Sequence, residues 1–147
     1  MKNEIFDNML SRYDLTTEQH KRNAIFEVNQ QMILAGLYAG GFFESAAFYG
    51  GTCLRIFHGL QRFSEDMDFS LLAQDDKFDF TKYFPAVIDA FAMVGREVEI
   101  KKKDKKNFGK VESAFLKDNT DVYDVTFQME KSIKIKIEVD TCPPLNF

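Results

Sequence analysis

Asp66 and Asp68 stand two residues apart in a stretch, 66–72, that reads as a strand. That spacing puts both carboxylates on one strand face. Two acids held together repel unless a cation lies between them. Hard divalent cations such as Mg²⁺ (or Mn²⁺) favour such oxygen ligands together with substrate phosphates. Upstream, Gly50 and Gly51 follow a short apolar run, 46–49, and open a predicted helix over 52–58. Backbone can approach a phosphate closely at glycine, and a helix N-terminus points free N–H groups at an anion. A phosphate cradle ahead of an acidic pair is what nucleotide chemistry needs.

Moving one nucleotide also calls for a third carboxylate, because two ions bridged by three acids stabilise both the entering and the leaving oxygen. The clearest alternation in the chain places Ile133, Ile135, Ile137 and Val139 on one face and Lys134, Lys136, Glu138 and Asp140 on the other. Geometry alone admits Glu138 or Asp140. Glu138 is preferred because it is mid-strand, whereas Asp140 sits where the strand yields to Pro143-Pro144. The bland reading of this face, a solvated alternation of Lys and Glu, is ordinary for a sheet.

The run Gly50-Gly51-Thr52-Cys53-Leu54-Arg55, followed by Gly59-Leu60-Gln61-Arg62-Phe63-Ser64-Glu65-Asp66-Met67-Asp68-Phe69, resembles the signature of the AbiEii/AbiGii toxin family. These are nucleotidyltransferases of abortive-infection toxin–antitoxin systems. Cys53 replaces the usual alanine and Met67 the usual leucine. The likeness covers roughly residues 16–147 and includes Asp140-Thr141 before the two prolines. It implies a metal-dependent transfer of a nucleoside monophosphate from an NTP, with Asp66 and Asp68 as catalytic metal ligands and a third carboxylate on a later strand, for which Glu138 is preferred over Asp140. It also implies a tRNA 3′ end as acceptor, and a cognate antitoxin. Gly50, Gly51 and Thr52 would hold the triphosphate. Arg55, one helical turn on, can reach phosphate or pair with Asp66. Ser64 and Arg62 flank the loop into the acidic strand, to bind nucleotide or to orient that loop. Members of the family usually continue into a mostly helical half, so residues 1–147 are expected to be a nucleotidyltransferase domain lacking it. Two rival readings stay open: the same chemistry on a protein or small-molecule acceptor, and an inactive truncated interaction domain.

The elements that must position these residues read as α+β. Thr16 and Gln19 form a capping box for a helix running to about Ala39, with Ile25, Val28, Met32, Ala35 and Ala39 as its core stripe. A weaker helix covers 2–12. Another covers 80–94, with Phe84, Val87, Ile88 and Phe91 on one side and Gly95 as its stop. Strands are expected at 46–49, 66–72, around Val98 and Ile100, over 111–115, around Val125 and Phe127, and over 133–139. Helices first and hairpins after give a nucleotidyltransferase-like mixed sheet with N-terminal helices packed on it.

The chain has 147 residues, a net charge of −4 and 45% hydrophobic residues, which fits one soluble domain and argues against a surface that is basic throughout. Lys101 to Lys106, broken only by Asp104, is the one basic run: a solvated hairpin tip, or a contact for an RNA backbone. The 16 Phe with no Trp read as core. Cys53 and Cys142 match no metal spacing and read as free thiols. With no membrane span and no signal segment, a cytoplasmic location is expected.

Overall fold

A computed structural model describes residues 2–13, 15–49, 56, 66–73, 75, 77–103 and 120–141. Among the described residues the α-helices are α1 (Lys2–Leu10), α2 (Glu18–Ala39) and α3 (Phe84–Met93), and they accompany five strands. The strands are β1 (Ala46–Tyr49), β2 (Met67–Leu71), β3 (Val98–Lys102), β4 (Thr120–Phe127) and β5 (Lys134–Asp140). They form one sheet in the order β1-β2-β5-β4-β3. β2 and β5 are parallel, and every other pair is antiparallel. The fold is therefore the expected α+β mixed sheet. The predicted strand over 111–115 and helix over 52–58 fall outside the described residues, apart from Ile56.

Period-two alternation separates the two faces of the sheet. Met67, Phe69 and Leu71 of β2, Ile135, Ile137 and Val139 of β5, and Tyr123, Val125 and Phe127 of β4 are all buried. Their register pairs, such as Met67 with Ile137 and Ile137 with Tyr123, line them up on one apolar face. Ile33 and Leu37 of α2, with Val87 and Phe91 of α3, complete the same core. Phenylalanines fill it: Phe42 meets Phe43, Phe69, Phe80 and Tyr83 edge to face at 5.2–5.4 Å. Arg96 is buried where its guanidinium lies over the Phe6 ring and pairs with Glu130, tying α1 to the turn between β4 and β5.

The first long helix differs in two ways from its pattern. Its N-cap is Thr17, not Thr16: the Thr17 hydroxyl accepts from the His20 backbone N–H at 3.0 Å. Gln19 reaches forward to Asn23 rather than back. The apolar stripe also fails in part, since Ala35 and Ala39 are exposed while Phe26, Ile33, Leu34 and Leu37 are buried. Between α1, α3 and the core, α2 is enclosed on more than one side, so a single stripe cannot describe it.

Gly36 sets the distance between α2 and α3. A Cβ there would stand 2.7 Å from Val87 Cα and 3.1 Å from Ala86 O, both backbone atoms that cannot rotate away. Gly36→Ala is expected to lower stability by about 1–3 kcal/mol, the usual range for overpacking. A urea midpoint no lower than that of the unmutated chain would contradict this close approach.

Candidate active site

β2 carries Asp68 on the face opposite the core, and Asp66 precedes the strand on the same side by the two-residue period. β5 lies directly beside it. The Cα register pairs Asp68 with Glu138 and Ser70 with Asp140. Paired residues on neighbouring strands project to the same side, so Glu138 stands level with Asp68 and Asp140 one step further along. Lys136 and Glu138 are half-buried, whereas Asp140 and Ser70 are buried.

The electrostatics single out the same group. Burial first, then a hydrogen bond shared with Glu138 and the like charges of Glu138 and Asp66, push the Asp68 carboxyl up to about 7. Lys136 pulls the other way without cancelling them. The Lys136 ammonium lies 3.6 Å from Asp66 Oδ2 and 3.5 Å from Glu138 Oε1. Burial pulls its pKa down, but the two acids outweigh burial and hold it above the usual lysine range. Three acids and one lysine therefore leave negative charge in excess. Among the described residues no three His, Cys, Asp or Glu side chains converge closely enough to ligate one ion as they stand, and Lys136 spans two of them.

The structure thus brings together Asp66, Asp68 and Glu138 of the expected residues. Gly50, Gly51, Thr52, Arg55 and Ser64 lie outside the described residues, as do Cys53, Cys142 and the second half of the basic run. Lys101 and Lys102 of that run pair with Glu99 at 3.3 Å and Asp121 at 3.7 Å. The described phenylalanines are mostly core, as expected. Sequence reasoning passed over Lys136 as one cation on an alternating face. Its position two residues before Glu138 was the available signal.

A profile of the family described as nucleotidyl transferase AbiEii toxin, type IV TA system, matches residues 32–146. The chain belongs to the AbiEii family. No curated protein matches it. Among solved structures, MenT4, a nucleotidyltransferase toxin from Mycobacterium tuberculosis H37Rv, superposes with a TM-score of 0.55 at 24% identity, over 92% of this chain and 44% of that one. JHP933 from Helicobacter pylori superposes with a TM-score of 0.52 at 20% identity, over 88% of this chain and 48% of that one. At such identities the likeness speaks for the fold. This chain spans a little under half the length of each. No described helix is long and apolar enough to cross a membrane.

Proposed function

We propose that this AbiEii-family chain carries the catalytic face of a metal-dependent nucleotidyltransferase that moves a nucleoside monophosphate from an NTP to an acceptor hydroxyl. The observation that carries the reading is the register of Asp68 with Glu138 beside Asp66, with more negative charge than Lys136 balances. The donor set fits a hard divalent cation, Mg²⁺ or Mn²⁺: carboxylate oxygens only, on two adjacent strands of one sheet. Asp66, Asp68 and Glu138 would hold it. Bound there, such an ion would neutralise the triphosphate and acidify the attacking hydroxyl.

The chain's own residues do the rest. The β2–β5 pairing sets Asp68 beside Glu138, with Asp66 just ahead of β2. Asp68 and Glu138 share a hydrogen bond, and once ionised either can accept the proton of the attacking hydroxyl. The acceptor oxygen bonds to the α-phosphorus, the α–β phosphoanhydride bond breaks, and pyrophosphate leaves. The family likeness supports the 3′ end of tRNA as acceptor, Gly50, Gly51, Thr52, Arg55 and Ser64 as nucleotide contacts, an antitoxin as partner, and a cytoplasmic setting.

Incubation with each labelled NTP and total tRNA tests the reading, with mass spectrometry of the modified acceptor. Label on the tRNA 3′ end is the expected result. Label on protein or a small molecule instead would move the acceptor and keep the chemistry. No labelled product, with no binding of Mn²⁺ or nucleotide by calorimetry, would leave an interaction domain.

The Asp68 proton gives a further expectation. A carboxyl with a pKa of about 7 must ionise before it ligates, so ion binding should tighten as pH rises through that value. Mn²⁺ affinity is expected to rise about tenfold between about pH 6 and about pH 8, the change one such proton allows. Flat affinity across that range would show that Asp68 takes no part.

A further inference from the structure

Lys136 forms ion pairs with Asp66 and Glu138, the two acids that flank Asp68. Its ammonium bridges Asp66 and Glu138 at 3.6 and 3.5 Å, so it and an incoming divalent ion compete for the same carboxylates. A lysine carries its charge on a flexible four-carbon stem and can move by several ångströms without moving its strand. The sheet offers it another partner. On β4, the residue directly opposite Lys136 in the register is Asp124. Asp124 Oδ1 is buried and makes no hydrogen bond among the described residues. A buried carboxylate oxygen without a partner is costly, and an ammonium one strand away would satisfy it.

We propose that Lys136 is a mobile counter-ion with two seats, bridging Asp66 and Glu138 when no divalent ion is bound and turning to Asp124 as the ion enters. This rests on the metal-dependent reading above and adds what regulates that same site. Lys136 is a positioning residue here. It keeps like charges from repelling before the ion arrives, and it withdraws so that the carboxylates can close. Free metal ions are thereby held off by an internal competitor, and the cost of ion entry depends on a residue of a different strand.

The experiment is a double-mutant cycle read by Mn²⁺ binding, from electron paramagnetic resonance or calorimetry, with no reaction needed. Lys136→Met removes the competitor and is expected to tighten Mn²⁺ binding by roughly three- to tenfold, the range of two half-exposed ion pairs. Asp124→Asn removes the second seat and is expected to weaken binding in the unmutated background by a similar factor. In the Lys136→Met background Asp124→Asn should have little effect, because nothing remains to be reseated. Lys134→Met is the charge control: Lys134 lies on the same face but makes no ion pair among the described residues, so its loss should change affinity less than the loss of Lys136. Equal effects of Lys134→Met and Lys136→Met, or an Asp124→Asn effect that is the same in both backgrounds, would overturn the two-seat inference while leaving the metal site intact. Mn²⁺ binding by none of the variants would remove the metal reading and this inference with it. Lys136→Gln, which keeps a polar head, guards against a packing effect of methionine and should behave as Lys136→Met does.

Discussion

Asp68→Asn is expected to abolish nucleotidyl transfer and, at the same time, to stabilise the fold above neutral pH. The loss should be at least about 10²-fold, since even the outer partners of metal ligands commonly carry 10- to 100-fold. The gain follows from the same carboxyl. In the folded chain Asp68 has a pKa of about 7 against an ordinary 3.8. Between those values the folded protein holds a proton that the unfolded chain has released. Folding stability from this group is therefore full below about pH 4 and is lost as pH rises through about 7. Asparagine carries no charge to repel Glu138 and Asp66. The variant should exceed the original by on the order of 1 kcal/mol above pH 7, after allowance for solvent screening of a half-buried group, and lose that advantage towards pH 4. Urea denaturation at the two ends of this range, run beside the labelled-NTP assay, checks both. A variant that keeps its transfer activity, or is no more stable at alkaline than at acid pH, contradicts the assignment of Asp68.

The second large effect separates Glu138 from Asp140. The two lie roughly 6–7 Å apart along the strand at the usual rise, too far for both to reach an ion at about 2 Å that Asp68 also holds. Register favours Glu138, which stands level with Asp68, while Asp140 stands level with Ser70 on one side and Thr120 on the other. Asp140 is buried and Glu138 is not. Glu138→Gln should therefore cost Mn²⁺ binding and transfer by at least about 10²-fold with little change in stability. Asp140→Asn should cost about 1–3 kcal/mol of stability, as replacement of a buried hydrogen-bonding group does, and should leave Mn²⁺ affinity near its original value. Calorimetric titration of both variants decides between them. The reverse pattern would make Asp140 the ligand and leave Glu138 as a charge on the rim.

Much of the site was legible because strand periodicity is local. The two-residue spacing of Asp66 and Asp68, and the alternation from Ile133 to Asp140, assign faces without any knowledge of the partner strand. The Gly50-to-Asp68 run carried the family in the same way. What the alternation could not contain was which strand lies beside which. Parallel pairing of β2 with β5 joins residues far apart in the chain, and its register depends on burying both apolar faces on one set of helices. That pairing, not the spacing, set Glu138 opposite Asp68 and left Asp140 beside Ser70.

The helices divide along the same line. The stop at Gly95, with φ of 78°, was readable because only glycine takes that conformation at little cost. The choice of Thr17 over Thr16 as cap was not, because either hydroxyl could serve and the docking of the helix selects one. The burial of α2 beyond a single stripe depends on α1 and α3 packing about it, and the need for Gly36 on the approach of Val87. Lys136 is the sharpest case. One lysine among alternating charges has no meaning along a single strand. Two acids from neighbouring positions and a carboxylate oxygen on the next strand with no hydrogen bond among the described residues give it one. Residue type and spacing therefore determined which groups could ligate, and on which face. The sheet order and its register decided which of them meet, because contacts between distant segments are set by the shared core and not by the local chain.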